Sequence, residues 1–225
     1  MRTVAFVPVR GDSKAIPQKN IKPFCGKPLV YWTLNSLQES SQIDEIFVGT
    51  DSVEIKEIVA SLNLSKVSFY ERDTQTATDT ASTESAILDC ISKTKLSADD
   101  TFILVQATSP FTTTQDIDSA LNTYRTVNCD SVLSVVPFQR FIWDDNGHAK
   151  NYDIFKRPRR QDMSKQYLEN GAIYISNVGS ITHHQNRLSG SIAYHIMPEF
   201  TAFEIDERSD WIIAEQLMNR YILKS

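Results

Sequence analysis

The stretch Val4-Ala5-Phe6-Val7-Pro8-Val9-Arg10-Gly11-Asp12-Ser13-Lys14-Ala15-Ile16-Pro17-Gln18-Lys19-Asn20 decides how the chain is read. Residues 4–7 are a short apolar run bounded by Pro8 and Gly11, the pattern of a buried strand. The loop that follows carries cations at Arg10, Lys14 and Lys19, with Ser13 among them. It contains neither GxxxxGK[ST] nor GxGxxG, and among the seven glycines of the chain neither motif occurs elsewhere. A P-loop NTPase and a dinucleotide-dependent oxidoreductase are therefore disfavoured. A triphosphate needs several donors converging from one strand-to-helix loop, lysines as movable point charges and arginine as a fork. A solvated basic loop is the alternative that spacing alone leaves open.

Outward from this strand the pattern alternates. Helical spacing covers 28–38, with Leu29, Trp32, Thr33 and Leu37, and a strand follows at 46–48. A helix over 53–62 places Ile55, Ile58, Val59 and Leu62 on one face, with Asp51 or Ser52 as N-cap. Next come a strand at 67–70 and a helix at 82–93 with Ala86, Ile87 and Cys90 inward. A strand at 101–105, a helix at 114–127 and a strand at 131–136 follow. This alternation predicts a three-layer, Rossmann-like α/β fold with a mostly parallel sheet and right-handed crossovers. Ligands in such sheets lie beyond the carboxyl ends of the strands, which singles out the loops after Val9, Thr50, Tyr70 and Val105.

The rhythm breaks over 138–169. This segment is polar yet holds Phe138, Phe141, Ile142, Trp143, Tyr152 and Phe155, too apolar for a disordered loop. It predicts a small lobe inserted in the single domain 1–225 and packed on something, a second subunit being the expectation. Strands at 172–176 and 192–197 follow, then a helix over 209–223 that buries Trp211, Ile212, Ala214, Leu217 and Met218.

Composition narrows the function class. No apolar run approaches the roughly 20 residues that span a bilayer, so no membrane is expected. The opening residues are too short a stretch for a signal peptide, and a cytoplasmic protein is predicted. Cys25, Cys90 and Cys129 form neither a CxxC pair nor a disulfide framework. The net charge of −5 argues against general nucleic-acid binding. Positive charge nevertheless gathers at Arg10, Lys14, Lys19, Lys22 and Lys27, and again at Lys156, Arg157, Arg159 and Arg160. Two basic clusters in an acidic chain point to specific anion sites or to solvated surface.

Four further motifs stand out: Thr78-Asp79-Thr80-Ala81-Ser82-Thr83 with Arg72 upstream, Gln106-Ala107-Thr108-Ser109-Pro110, Arg160-Gln161 with Tyr167 and Asn170-Gly171-Ala172-Ile173-Tyr174, and Phe203-Glu204-Ile205-Asp206. Read plainly, these are a Ser/Thr-rich helix cap, a turn into a helix, part of the lobe and an acidic edge strand leading into a helix capped by Ser209. Alternation along a strand would put Glu204 and Asp206 on one face, within reach of one cation.

Together with the loop pattern R-x-x-S-K-G-[IL]-P-x-K-N, matched at Arg10, Ser13, Lys14, Ile16, Pro17, Lys19 and Asn20, these motifs resemble the CMP-sialic acid synthetases over nearly the whole chain. Ala15 stands where that family has glycine, Ala107 where it has proline, and Glu204 where it has aspartate. The resemblance implies a nucleotidyltransferase that moves CMP from CTP to a nine-carbon 2-keto sugar acid, N-acetylneuraminate or a close relative, releasing pyrophosphate. It implies catalytic roles for Arg10, Lys14 and Lys19, and CTP contacts from Ser13, Asn20, Arg72, Ala81 and Thr83. Sugar contacts would come from Gln106, Thr108, Ser109, Arg160, Tyr167 and Asn170. Mg²⁺ (or Mn²⁺) would sit on Glu204 and Asp206, and a homodimer would form through the lobe. Legionaminate, pseudaminate and KDN are alternative acceptors, and a non-catalytic nucleotide-binding regulator is the alternative from another class. His183 and His184, with no metal set around them, read as surface residues.

Overall fold

The apolar runs assemble into a seven-stranded sheet in the computed structural model, which describes residues 1–11, 15–73 and 81–224. In chain order the elements are β1 (Thr3–Pro8), a two-residue-strand hairpin of β2 (Pro23–Phe24) and β3 (Lys27–Pro28), α1 (Leu29–Glu39), β4 (Glu45–Thr50), α2 (Val53–Ser61) and β5 (Val67–Glu71). Then follow α3 (Thr83–Thr94), β6 (Thr101–Val105), α4 (Thr114–Thr126), β7 (Ser131–Pro137), β8 (Tyr167–Asn177), α5 (Val178–His184), β9 (Ile192–Ile196) and α6 (Arg208–Leu217). The sheet order is β5-β4-β1-β6-β8-β7-β9. Its pairings are parallel except for β8, which runs antiparallel to both β6 and β7.

Strand alternation sorts the core onto two faces. Ala5, Val7, Ile46, Val48, Ile103 and Val105 pack with buried residues of α1, α2 and α4. Their neighbours Val4, Phe6, Phe47, Phe102 and Leu104 pack with Ala86, Ile87 and Cys90 of α3 and with Val178 and Ile181 of α5. Both faces of the central strands are covered, so these strands read as continuous apolar runs. The result is the expected three layers. A third cluster pins the carboxyl-terminal part to the loop after β1: Ile16, Phe24, Leu29 and Phe111 enclose Ile205, Trp211, Ala214 and Met218.

Of the caps at the helix starts, those at Ser52 and Ser82 were legible in the sequence. Ser52 accepts from the Ile55 N–H and Ser82 from the Ser85 N–H, and Thr113 forms a capping box with Asp116.

The structure differs from expectation at several elements. β8 starts at Tyr167 and not at 172, because residues 167–169 continue the pairing with β7 past an irregularity. This also ends the lobe before 167. α5 was not expected. α6 begins at Arg208 behind a capping box of Glu207 and Asp210, with no role for Ser209, and its last turns, Met218–Leu223, widen to a π-helix. Ile212, expected inside, is 67% exposed, since the helix turns Trp211, Ala214 and Met218 inward.

The lobe is ordered around its own small aromatic contact. Phe141 and Tyr152 meet edge to face at 4.5 Å, and the Arg157 guanidinium lies 4.0 Å over the Phe141 ring. Arg157 is therefore more than a solvated charge. Asn151 ties the lobe's two arms, donating to the Arg140 carbonyl at 2.8 Å and to Gln166 Oε1 at 2.7 Å. Trp143 and Phe155 remain exposed, Phe155 at 89%.

Candidate active site

A cleft of about 290 Å³ opens at the carboxyl ends of β1, β5 and β6, where α/β sheets hold their ligands. One wall comes from the loop after β1. Arg10 lines the cleft beside Asn20, whose buried side-chain amide donates to the Arg10 carbonyl at 3.2 Å and so shapes that loop. Lys19 reaches in from the same loop. Its ammonium donates to the Ile205 carbonyl at 2.7 Å and stands 3.6 Å from Asp206 Oδ1. Burial lowers the Lys19 pKa, an effect that Asp206 opposes and the nearby Arg10 charge adds to. Ser13 and Lys14 lie outside the described residues, as do Thr78, Asp79 and Thr80.

Arg72, buried just after β5, lines the opposite side together with Ala81, Ser82 and Thr83 at the start of α3. The helix is fixed there because the Tyr70 hydroxyl donates to the Ala86 carbonyl at 3.3 Å. Gln106 and Thr108, on the loop after β6, form the floor. The Gln106 N–H donates to the Ala172 carbonyl at 3.3 Å, and its carbonyl accepts from Thr33 Oγ1 at 3.4 Å. The backbone is thereby held while the side-chain amide stays at the cleft, where its oxygen accepts from the Thr108 hydroxyl at 3.4 Å.

Glu204 and Asp206 close the site. They share a face without belonging to a strand, because Ile205 between them is fully buried and anchors the extended segment. Burying one such side chain is worth about 1.5–3 kcal/mol, enough to define which way its neighbours point. Burial, and then the Asp206 charge, raise the Glu204 pKa above the usual carboxylate range, while Lys19 pulls it back. Asp206 is 70% exposed at its side chain, and its N–H donates to Asp210 Oδ2 at 3.0 Å, as does that of Glu207 at 2.7 Å. Among the described residues no three His, Cys, Asp or Glu side chains converge. Two carboxylates facing a basic wall suit Mg²⁺, which takes one or two of them and completes its shell with phosphate oxygens and water.

Four of the expected sugar contacts do not line this cleft. The Ser109 hydroxyl is buried and has no hydrogen-bond partner among the described residues. The Asn170 side chain is spent in the core, its oxygen accepting from Ser134 and its amide donating to Thr201. Tyr167 packs against Tyr194 with tilted rings whose centroids are 5.6 Å apart. Arg160 sits on the exposed side of the lobe and shares Glu199 Oε1 with Arg140, at 3.3 and 3.2 Å. Missed in the sequence were Ile205, as anchor and as acceptor for Lys19, and Ala86 in the cleft wall. An apolar residue set between two carboxylates was the available signal. His183 and His184 are exposed at the end of α5, as read.

Three cations and two carboxylates meet in one cleft at the carboxyl ends of parallel strands on a Rossmann-like fold, an arrangement suited to a polyanionic ligand. Residues 4–207 match the family model described as cytidylyltransferase, and the chain belongs to that family. It is 35% identical over 225 residues to N-acylneuraminate cytidylyltransferase B of Danio rerio, across 96% of this chain and 51% of that protein. It is 29% identical over 232 residues to CMP-N,N'-diacetyllegionaminic acid synthase of Legionella pneumophila subsp. pneumophila, across 97% of both. The chain spans about half the length of the first-matched curated relatives. Its fold is shared with a structure of CMP:2-keto-3-deoxy-manno-octonic acid synthetase complexed with CTP, with a TM-score of 0.72 at 15% identity over 99% of this chain and 100% of the other. Among the described residues no helix is long and apolar enough to cross a membrane.

Proposed function

We propose that the chain transfers CMP from CTP to the anomeric hydroxyl of a nine-carbon 2-keto sugar acid of the sialic acid type. The observation that carries this reading is the meeting, in one cleft, of Arg10, Lys19 and Arg72 with Glu204 and Asp206, within a cytidylyltransferase whose relatives act on such sugar acids. The hydroxyl oxygen attacks the α-phosphorus, the new P–O bond forms as the bond to the β-phosphate oxygen breaks, and the hydroxyl proton is released. Charge accumulates on the departing pyrophosphate, so preorganised cations are the main catalytic device. Arg10 and Lys19 supply two of them, and the sequence adds Lys14. Arg72 and the start of α3 receive the cytosine, with Ala81 and Thr83 at its edge and Asn20 and Ser13 shaping the phosphate loop. Gln106 and Thr108 face the sugar. Mg²⁺ or Mn²⁺ on Glu204 and Asp206 would offset phosphate charge and acidify the attacking hydroxyl.

The same reading takes the chain as a homodimer. Trp143 and Phe155 are exposed on the lobe, and Ile192, Tyr194 and Ile196 are exposed on the edge strand β9, where Tyr194 meets Tyr167 of β8; exposed apolar side chains of this kind suit a subunit contact. Arg160 on that side would serve the partner's sugar site. Free Cys25, Cys90 and Cys129 suit the reducing cytoplasm. The testing experiment is pyrophosphate release from CTP with a panel of acids: N-acetylneuraminate, legionaminate, pseudaminate and KDN. Release that depends on one of these acids supports the reading, and sugar-independent release or none opposes it.

A further inference from the structure

An irregularity between β7 and β8 ends directly under the cleft. Leu133 pairs with Tyr174 and Val135 with Glu169, so residues 170–173 all stand opposite Ser134. The Ser134 hydroxyl fills the gap, donating to Asn170 Oδ1 at 2.6 Å and accepting from the Ile173 N–H at 2.8 Å. The Asn170 amide donates in turn to Thr201 Oγ1 at 3.1 Å. Bulges re-aim the backbone at such points. This one holds Gly171 at φ +68, and a Cβ placed there would lie 2.6 Å from Glu204 Oε1, 3.5 Å from its Cδ and 4.0 Å from Gln106 Nε2. The Glu204 carboxylate rests on a bare Cα.

We propose that Gly171 is a positioning residue: the space left by its missing side chain is the seat of the Glu204 carboxylate. The backbone of 204 is fixed by buried Ile205, and glutamate is one methylene longer than aspartate. The extra reach is accommodated over Gly171, which lets Glu204 present its oxygens on the same face as Asp206. What this seat does for the reaction rests on the metal reading above; the steric relation between 171 and 204 does not. A glycine here could instead serve only its left-handed backbone, and the two explanations diverge when residue 204 is shortened.

The test uses four proteins: wild type, Gly171→Ala, Glu204→Asp and the double variant. Mn²⁺ binding to the CTP-loaded protein is titrated by electron paramagnetic resonance, and denaturant unfolding of the metal-free protein is measured in parallel. Gly171→Ala alone is expected to weaken Mn²⁺ binding about 10- to 100-fold, the usual loss when a residue that orients a ligand is removed. Adding Glu204→Asp should bring affinity back to that of Glu204→Asp alone, and Gly171→Ala should destabilise less in that background. Equal losses in both backgrounds, in both measurements, would overturn the proposal and leave Gly171 as a backbone device. Should Gly171→Ala fail to fold, a cooperative transition regained in the double variant supports the seat, and none regained opposes it. If wild-type protein with CTP binds no Mn²⁺, the metal reading falls separately and the unfolding arm still decides the seat.

Discussion

Lys19 holds the site together and, on the proposed reading, also serves the transfer. Its ammonium is committed to the Ile205 carbonyl and the Asp206 carboxylate, so it ties the loop after β1 to the acidic segment while staying beside Arg10. Arg10→Ala and Lys19→Ala should each lower kcat by roughly 100-fold, close to 3 kcal/mol, as expected for loss of one preorganised charge. CTP binding should change less. A variant with wild-type kcat removes that residue from the catalytic role. Glu204 sets stability against function. Its raised pKa, caused by burial and by Asp206, means that folding favours the protonated carboxyl. Below the ordinary carboxylate range both states are protonated and no penalty exists; as pH rises through that range the unfolded chain ionises first, and the fold loses stability. Glu204→Gln should therefore raise the Tm of the metal-free protein at neutral pH, with the gain vanishing near pH 3.5, roughly below the free carboxylate value. The same substitution should sharply lower turnover. An unchanged Tm at neutral pH would mean that Glu204 carries no such strain.

At the scale of elements, the acidic segment depends on the helix behind it. Asp210 accepts from the N–H groups of both Asp206 and Glu207, so the cap of α6 also sets where Asp206 begins. Asp210→Ala should cost about 1 kcal/mol of stability as a lost cap and should raise the Mg²⁺ concentration needed for half-maximal rate. A stability loss with an unchanged Mg²⁺ requirement would separate the cap from the site. This coupling was only partly legible in the sequence. Phe203-Glu204-Ile205-Asp206 alternates like a strand, and its facing carboxylates follow from that period. The segment is nevertheless extended chain outside the sheet, directed by the burial of Ile205 among Ile16, Phe24, Leu29 and Phe111, which are distant in sequence, and residues of α6. Strands β1, β4 and β6 were legible because they are covered on both faces and read as apolar runs, and the edge strand β5 by its alternating Val67, Phe69 and buried Tyr70. β8 was seen only in its carboxyl-terminal half, since Glu169-Asn170-Gly171 interrupts the apolar run and the strand's place there is set by Ser134 across the bulge. α5 was missed because seven residues, three of them β-branched and two histidine, leave too little periodicity to read. The basic wall of the cleft was visible as charge in one loop. Arg72 needed the resemblance, because its companions reach it only through folding.

At the scale of the molecule, the exposed aromatic lobe and the open edge of β9 argue for two copies together. Light scattering at micromolar concentration should give twice the 25.5 kDa chain mass, and a monomer mass would contradict it. Arg160→Ala should raise the KM of the sugar acid and leave that of CTP nearly unchanged. At a sugar-acid concentration far below the raised KM, where Arg160→Ala alone is silent, mixing it with inactive Lys14→Ala subunits should restore activity at one site of each mixed dimer. No recovery despite confirmed exchange would mean that each site is built within one chain. The central claim, transfer of CMP onto a sugar acid, is tested most directly by mass spectrometry of the products after incubation with CTP, Mg²⁺ and each nonulosonic acid. The account predicts, with at least one acid, a product of the mass of the sugar joined to CMP by loss of water, formed in step with pyrophosphate. CTP that binds and is recovered intact with every acid would contradict it and leave a nucleotide-binding protein without turnover.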